Sequence, residues 1–465
     1  MVQKDRRPHK LTINLSYCRT FILSWILLLA SLLVLVFVVC PYIIQEQIKA
    51  EAQLVPGGDT WRKYANPPYP LFIKFYIFNA TIPKMVKNQA LFHVKETGPY
   101  VWEEKRTRRI FEVNDDDDTL RFIESVKFYF RPDLSKGNEN DVVNIVNIPL
   151  LTFAYIIYKK TYGFIASSIL THLMEVEKEG LIQPGVKVRD LIFDGVKINA
   201  LYESLATLSD VSLPSEFTDG KFALYNNKNG TDTPEFKVNR GIKDHSKFGD
   251  IVGYNQRSEL PYWKGIPAYH FKIPRRMLDN PVDTPVNECY NTRYENGIHH
   301  YDEYRGAYRL FTCKGDIPLL MSNPHLHTAT KRLLEGVVGL KPNESIHETE
   351  LIIEPQSGAM LYAAKRIMVS MEHMTLPDIT GYEDVYHAAV PITWVEESIQ
   401  MDDDNIASLK RRLIIPSQIV SYAKWVVVGA SIVSAIIGVI MLARDLKKLQ
   451  EPQSLLSAET EKIYL

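Results

Sequence analysis

The histidines of this chain are the residues from which a metal site could most readily be built. His325 and His327 lie two residues apart in the segment Asn-Pro-His-Leu-His, and His299 is followed directly by His300. A zinc site needs three or four His, Cys or carboxylate ligands, and neither pair has the further ligands at a suitable spacing. The sequence therefore predicts no metal site and no resident cofactor.

Neither the acidic runs nor any known catalytic motif provides a candidate site. The aspartates at 115–118 and 402–404 lack the spacing of a calcium-binding loop. We interpret the first run as a solvated turn between strands and the second as a polar loop before an apolar segment. The chain has no Gly-x-Ser-x-Gly elbow, no phosphate-binding loop and no His-Glu-x-x-His. We therefore predict that the protein is not an enzyme.

Three asparagines lie in the triplet that accepts N-linked glycans. They are Asn79, Asn229 and Asn343, each followed two residues later by Ser or Thr. Such triplets also arise by chance, so each is weak evidence alone. Together they favour a central segment that lies outside the cytosol.

Two uncharged apolar runs must position that central segment. Residues 21–44 and 425–443 contain no charged side chain. About twenty helical residues at about 1.5 Å each cross the roughly 30 Å hydrocarbon layer. The first run is longer than the apolar region of a signal peptide, so we expect an uncleaved anchor. Small residues in the second run permit helix association and thus a homo-oligomer.

Basic flanks predict the orientation of these helices. Five basic residues precede the first run and only Lys49 follows it closely: Lys4, Arg6, Arg7, Lys10 and Arg19. The positive-inside rule then places both termini in the cytosol, although basic residues flank the second run on both sides. The predicted organisation is a cytosolic N-terminus 1–20, a transmembrane helix 21–44, an outer domain 45–420, a second transmembrane helix 421–443 and a cytosolic tail 444–465.

The outer domain has mixed secondary-structure patterns. Leu71–Phe78 is an apolar run rich in strand-forming residues, and residues 120–130 nearly keep the two-residue apolar period of a strand. Pro149–Glu179 is the best helical candidate, with a break expected at Gly163, and it carries Lys159 and Lys160 as candidates for anionic ligands. A solvated helix face is the alternative for these lysines. The net charge of -1 argues against nucleic acid as a partner.

The cytosolic segments carry two candidate signals. Glu451, Leu455 and Leu456 have the spacing of an acidic dileucine sorting signal, which clathrin adaptors bind. A chance Leu-Leu pair in a polar tail is the alternative. Cys18 precedes the first membrane helix and is a candidate for palmitoylation.

Several segments, in order, resemble the class B scavenger receptors, the family of the fatty-acid translocase, the high-density-lipoprotein receptor and the lysosomal integral membrane protein. The segments are Glu96–Trp102, Lys228–Asp232, Lys264–Phe271, Cys313–His325, His347–Arg366 and Pro391–Trp394. No single segment is decisive, but the ordered set covers nearly the whole chain.

This resemblance implies a fold and a function. The fold class is a membrane protein with two transmembrane helices and an α+β ectodomain, which has an irregular antiparallel β-barrel core and a helical apex near 149–179. The implied function is binding of lipid or lipoprotein particles and transfer of lipid through a tunnel to the membrane. The alternatives are a sorting receptor for a lysosomal protein cargo and an adhesion or debris receptor without transport. The implied location is the plasma membrane or the endolysosomal membrane.

The chain departs from the family at its cysteines. The cysteine-containing stretch usual before the Pro-Ala-Tyr segment is shortened or lost here. Cys289 and Cys313 are similar to two family cysteines whose usual partners lie in that stretch. We therefore predict that they pair with each other, which would stabilise the fold by roughly 3 kcal/mol in the entropy model. Two separate thiols are the alternative.

Overall fold

The computed structural model describes residues 15–82, 91–160, 168, 171–175, 180–200, 202, 214–226, 228–243, 257–280, 283–290, 294–295, 298–299, 305–310, 317–373 and 386–463. These residues fall into two compact units. The helical unit lies within Met1–Glu51 and Asp403–Leu465, and the sheet unit lies within Ala52–Asp402.

Helices occur in both units. The α-helices are α1 Leu15–Val34, α2 Cys40–Ala52, α3 Asp59–Ala65, α4 Ile148–Lys160, α5 Lys331–Glu335, α6 Glu344–His347, α7 Asp403–Leu409 and α8 Ile415–Ile463. Short π-helical segments are Leu35–Val39, Asp190–Asp194 and Lys410–Ile414. Short 3₁₀ segments are Ser215–Gly220, Arg275–Leu278, Pro285–Tyr290 and Pro324–Leu326.

The helical unit contains both apolar runs. Leu23–Ala50 and Asp403–Met441 are long and apolar enough, by length and composition, to cross a membrane. Their large side chains are mostly exposed, as at Trp425 with 75% of its surface accessible. Exposed apolar surface of this extent is stable against lipid rather than against water.

The acidic run at 402–404, which we expected to be a polar loop, is helical at two of its three residues. Asp403 and Asp404 lie in the first turn of α7, and helical structure then continues to Ile463. Carboxylates in the first turn are favourable because they offset the positive end of the helix dipole.

The sheet unit is built from strands. They are β1 Leu71–Thr81, β2 Phe92–Asn114, β3 Thr119–Phe130, β4 Val142–Val146, β5 Ile182–Lys187, β6 Val196–Lys197, β7 Lys221–Phe222, β8 Phe236–Asn239, β9 Arg257–Trp263, β10 Ile266–Lys272, β11 Tyr294–Glu295, β12 Ile298–His299, β13 Ala307–Arg309, β14 Leu319–Ser322, β15 Val337–Val338, β16 Glu350–Ile353, β17 Met360–His373 and β18 Ala388–Gln400. The predicted strand patterns at 71–78 and 120–130 are confirmed by β1 and β3.

One large sheet dominates this unit. Its neighbours run in the order β8-β3-β2-β1-β18-β17-β16-β10-β9, all antiparallel. β14 adds to β17 and β13 to β14, while β15 pairs with β2 in the parallel direction. The centre therefore joins β1 to β18, two strands from opposite ends of the sheet unit. Successive side chains in these strands face opposite sides of the sheet.

Helix α4 packs into the core. The Asn147 side-chain oxygen accepts a hydrogen bond from the Leu150 N–H at 3.1 Å and so caps the helix. Leu150, Phe153 and Ile156 are each at most 2% exposed. The helix predicted over Pro149–Glu179 is confirmed over 148–160, and 171–175 is also helical. The break expected at Gly163 lies outside the described residues.

The aspartates at 115–118 form the predicted turn between β2 and β3, but they are not all solvated. Asp118 is only 3% exposed and accepts a hydrogen bond from the Lys243 N–H at 2.7 Å. The buried Arg240 guanidinium contacts Asp118 at 3.4 Å and Asp115 at 2.6 Å. Burying these charges is tolerable because they are paired.

Candidate ligand cavity

A cavity of about 200 Å³ lies against one face of the central strands. Its wall is apolar apart from a few side chains. The lining residues are Phe75, Phe222, Ala223, Leu224, Tyr225, Leu310, Ile317, Leu319, Lys365, Ile367, Val369, Thr393, Val395 and Glu397. An apolar cavity with a small number of placed polar groups is the usual form of a small-molecule site.

The sheet side of the cavity follows from the register of three strands. Phe75 lies opposite Val395, which lies opposite Ile367 on β17. Thr393 and Val369 form part of the next row on the same face. Because side chains alternate across a strand, residues two apart lie on the same face, and here they form a mostly apolar strip.

The opposite wall comes from chain segments outside the central strands. The N–H groups of Leu224 and Tyr225 donate to the carbonyls of Leu191 and Ile192 at 3.0 and 2.8 Å. This pairing fixes the Tyr225 ring edge-on to Phe75, with ring centroids 5.6 Å apart. Such edge-to-face contacts hold aromatic rings in a defined geometry.

A charge network adjoins the apolar strip. Arg106 Nη2 contacts Glu104 at 2.6 Å and also contacts Glu397, while its Nη1 lies 3.5 Å from Glu124. Lys365 Nζ lies 3.8 Å from Glu397. These residues share a sheet face because their positions on β2, β3, β17 and β18 have the matching parity.

Burial shifts the ionisation of this network. Burial raises the pKa of Glu104, and the neighbouring Arg106 opposes the shift only in part. For Arg106, burial would lower the pKa, but the Glu104 carboxylate outweighs it and the pKa is raised. Burial, followed by the charges of Glu104 and Glu397, raises the pKa of Tyr225. Arg106 therefore stays charged, and Tyr225 stays a neutral hydroxyl at physiological pH.

The other face of the same strands carries a histidine cluster. His325 Nε2 lies 2.6 Å from a Glu96 oxygen, and Trp394 Nε1 donates to that oxygen at 2.7 Å. His325 Nδ1 accepts the Lys341 N–H at 3.0 Å. Both ring nitrogens are therefore engaged by protein groups. Within the described part of the chain, no group of three or more His, Cys, Asp or Glu is placed to hold a metal ion.

His347 completes that cluster. Its ring stacks on His325 with centroids 4.5 Å apart and meets Trp394 edge-on at 5.7 Å. Burial, followed by the nearby His325, lowers the pKa of His347 to about 4. Burial would raise the pKa of Glu96, but its hydrogen bonds from His325 and Trp394 outweigh it and the pKa is lowered. The cluster has no nucleophile in a catalytic arrangement among these contacts.

The predicted glycosylation residues occupy different environments. Asn229 and Asn343 are exposed, whereas Asn79 is half-buried within β1. The Asn79 side-chain oxygen accepts the Asn144 N–H at 2.7 Å. The predicted modification of all three residues stays a prediction.

The remaining predicted residues are described only in part. Cys289 lies in the 3₁₀ segment Pro285–Tyr290, and Cys313 lies outside the described residues. Lys159 and Lys160 end α4, and Cys18 lies in α1. The sorting residues Glu451, Leu455 and Leu456 lie within the continuous helix α8. Their predicted roles stay predictions.

The cavity residues themselves were not predicted from the sequence. Lys365 lies in one of the segments that resemble the family, and no sequence motif singles out Glu104, Arg106 or Glu397. A signal existed: in Lys365-Arg366-Ile367-Met368-Val369, a charged residue shares a strand face with Ile367 and Val369. Such a pattern marks a charge beside an apolar surface.

Comparisons with known proteins give consistent matches along the chain. The model of the CD36 family matches residues 22–264 and 262–442. Sensory neuron membrane protein 2 of Manduca sexta is 26% identical over 89% of this chain and 91% of its own length. Scavenger receptor class B member 1 of Cricetulus griseus is 24% identical over 91% and 89%. Lysosome membrane protein 2 of Homo sapiens is 24% identical over 83% and 87%.

Proposed function

This chain belongs to the CD36 family, and on that premise we propose that it binds lipid or lipoprotein ligands and transfers lipid through its sheet unit to the membrane. The match confirms the resemblance to class B scavenger receptors that the ordered sequence segments predicted. The relatives bear the names of receptors and membrane proteins, and we propose that this chain too is a receptor and not an enzyme. The observation that carries the proposal is the apolar cavity.

The size and wall of the cavity support a hydrocarbon ligand. Each methylene that leaves water contributes about 0.8 kcal/mol, so a section of about six methylenes would contribute roughly 5 kcal/mol. The cavity of about 200 Å³ is smaller than the roughly 300–1,000 Å³ of pockets for drug-sized ligands. We therefore expect it to hold part of one acyl chain at a time.

We further propose that the large sheet curls into an irregular barrel and that the cavity is one section of a tunnel through it. The helical apex would contain α4 and residues 171–175, with Lys159 and Lys160 as candidate contacts for a particle. A continuous apolar route would let lipid leave a carrier without exposing its tail to water. The enclosure of the cavity by strands on one side and residues 222–225 on the other supports this.

Lipid transfer can be tested by a substitution that fills the cavity with a large side chain. Val369 is half-buried and lines the cavity, so Val369→Trp should fill the apolar strip. We expect cells that express this variant to lose uptake of a fluorescent lipid ester supplied in lipoprotein particles. Particle binding at the cell surface should persist, because the apex is untouched.

A matched substitution outside the cavity controls for the effect of introducing a large side chain into the sheet. Val113 is 39% exposed near the end of β2 and does not line the cavity. Val113→Trp should leave uptake at the wild-type level, and surface labelling should show equal amounts of both variants. Undiminished uptake by correctly displayed Val369→Trp would rule out transfer through this cavity.

We propose that residues 45–420 lie outside the cytosol between helices 21–44 and 421–443, with residues 1–20 and 444–465 in the cytosol. Peptide N-glycosidase should then shift the electrophoretic mobility of the wild-type protein. Asn229→Gln and Asn343→Gln should each remove one glycan and so reduce this mobility shift. A chain with no glycan at any site would contradict this topology.

The bridge between Cys289 and Cys313 is a separate proposal. Mass mapping of a peptide that links these two cysteines checks it.

A second candidate function is sorting of a protein cargo to lysosomes. The acidic dileucine pattern at Glu451, Leu455 and Leu456 favours it, as does the similarity to lysosome membrane protein 2. Replacing both leucines with Ala should move an endolysosomal protein to the plasma membrane. The spacer variant Gln453→Ala with Ser454→Ala should not. Unchanged localisation of the leucine variant would contradict adaptor-dependent sorting.

A further inference from the structure

A small apolar core lies near the end of the β2–β3 hairpin, separate from the main core of the sheet unit. It consists of Leu54, Leu120 and Phe122, each at most 5% exposed. The Leu54 N–H donates to the Arg240 carbonyl at 3.0 Å, so the chain just after α2 is fixed against the segment just after β8. The hairpin end, β8 and Leu54 therefore form one local assembly.

Aromatic side chains on the strands around this core are exposed. Phe236 on β8 lies opposite Phe122 on β3, and their rings stack with centroids 5.2 Å apart. Phe111 lies at the bulge of β2, next to Ile110, which packs against the small core. Phe236 is 44% exposed and Phe111 is 50% exposed. These two aromatic residues therefore present apolar surface at the same end of the sheet.

Three aliphatic side chains extend this surface. Val113 lies opposite Leu120 in the β2–β3 register, and Val55 and Ile242 lie within two residues of the hydrogen bond made by Leu54. Each of the three is at least 36% exposed. Exposed apolar surface of this kind marks a protein-binding or membrane-binding site. We call the five side chains the hairpin patch: Val55, Phe111, Val113, Phe236 and Ile242.

Charged groups beside the hairpin patch are paired with one another. The Arg240 guanidinium contacts Asp115 at 2.6 Å and Asp118 at 3.4 Å. Lys237 on β8 lies 3.3 Å from Asp117. These cations are already held by carboxylates, so the rim of the patch offers no excess of positive charge to an anionic surface. Attraction to the patch should therefore be hydrophobic rather than electrostatic.

Chain length limits the distance between the patch and the proposed membrane. The first uncharged run ends at Ile44, and α2 continues to Ala52. The eight residues 45–52 rise about 12 Å, and the two residues to Leu54 add at most about 7 Å. Roughly 5–8 Å of this distance is the head-group layer on one side of the bilayer. Tilt of the long first helix would shorten it further.

We infer that the hairpin patch inserts into the head-group layer of the membrane that carries the chain's own helices, and that this surface is zwitterionic lipid. The inference rests on the proposed topology and goes beyond the proposed function. A lipid surface suits the patch because the chain keeps a membrane within reach of Leu54 in every copy of the protein. Trp61 and Tyr64 of α3 pack against the same small core, and both residue types are enriched at lipid–water interfaces.

The test uses the full-length protein in phosphatidylcholine vesicles, with the fluorescent amino acid Anap in place of either Phe111 or Phe236. Half of the samples contain phosphatidylcholine with a nitroxide quencher on the fifth acyl carbon, close to the head groups. We expect the quencher to lower the emission of both labels at least twofold. Tyr129 is 51% exposed and lies about 26 Å from the patch along β3. Anap at that position should keep its full emission.

Two substitutions at one position separate insertion from proximity. With Anap at position 111, Val113→Asp should weaken quenching at least twofold, because a carboxylate is costly to bury in an apolar layer. Val113→Trp keeps the patch apolar and should not weaken it. Equal quenching of the Val113→Asp variant and its parent would overturn the inference. Stronger quenching after addition of phosphatidylserine would overturn the assignment to zwitterionic lipid.

A label in the first apolar run separates this inference from the proposed topology. Phe37 is 45% exposed within that run, and Anap in its place should be quenched by a nitroxide on the twelfth acyl carbon. If that label is quenched while those at 111 and 236 keep full emission, only the inference about the patch is wrong. Blue-shifted but unquenched emission at 111 and 236 would also overturn it, since a protein surface would then cover the patch. If the label at 37 is unquenched, the topology and the inference both fail.

Discussion

Protonation of His347 should make the folded protein less stable in mildly acidic solution. The ring is 4% exposed, its Nδ1 accepts the Asn343 N–H at 3.0 Å, and one face stacks on His325. The charged groups around it are Glu96, which favours the imidazolium, and Arg366, which disfavours it. Burial dominates and lowers the pKa of His347 to about 4, from 6.5 for an unperturbed histidine.

The sign and size of the effect follow from proton linkage. Between pH 6.5 and 4, the unfolded chain holds a proton on His347 that the folded protein excludes. The stability contribution is therefore complete above pH 6.5 and is lost as the pH falls toward 4. The loss is about 1.4 kcal/mol per pH unit, or roughly 2 kcal/mol at pH 5. For a unit of this size, that lowers the melting temperature by roughly 3 °C.

The assay compares melting temperatures at pH 7.5 and pH 5 by intrinsic tryptophan fluorescence. His347→Asn retains a hydrogen-bond acceptor near the position of Nδ1 but cannot take up the proton. Its drop in melting temperature between the two pH values should be smaller than that of the wild type by about 3 °C. His172→Asn, at an exposed position, should fall with the wild type. Equal drops for His347→Asn and wild type would refute the reasoning.

Two further substitutions test the sheet with matched controls. Arg366→Met removes a guanidinium with an 8% exposed side chain that lies 2.7 Å from Glu396, and should cost about 3 kcal/mol of unfolding free energy. Arg109→Met, at a 70% exposed side chain in a surface ion pair, should cost under about 1 kcal/mol, and equal costs in chemical denaturation would contradict this. Gly339→Ala should prevent folding, because φ is +109° and a Cβ would overlap a β2 backbone carbonyl oxygen. Gly358→Ala, at φ +69° in open space, should cost only about 1–2 kcal/mol, so equal yields of folded protein from both variants would count against the argument.

Local patterns predicted much of the secondary structure. The two apolar runs became helices because hydropathy over about twenty residues is a property of consecutive positions. β1 was predicted from an apolar run rich in strand-forming residues and β3 from alternation of apolar residues, and both patterns are likewise local. The helix at 148–160 followed from its apolar spacing, and its N-terminal cap is the adjacent Asn147. The family was predicted because ordered motifs survive even at about 25% identity.

The environment of a charged residue could not be predicted from local patterns, because it depends on neighbours far along the chain. Asp118 belongs to a run that looks solvated, yet it is buried against Arg240, more than 120 residues away. Asp403 and Asp404 looked like a loop, but the start of α7 places them at the positive end of a helix dipole. A run of like charges gives no sign of the partner that neutralises it.

The sequence by itself determined the double apolar-helix arrangement, the strand-rich segment between the helices and the family. The tertiary structure decided that β1 lies beside β18, which brings Lys74 to 2.5 Å from Glu396 across 322 residues. It also decided that Phe75, Ile367 and Val395 share one face beside Lys365, and so formed the cavity. Strand order and register set these contacts, because the side-chain period of a strand fixes a face but not the neighbour that completes it.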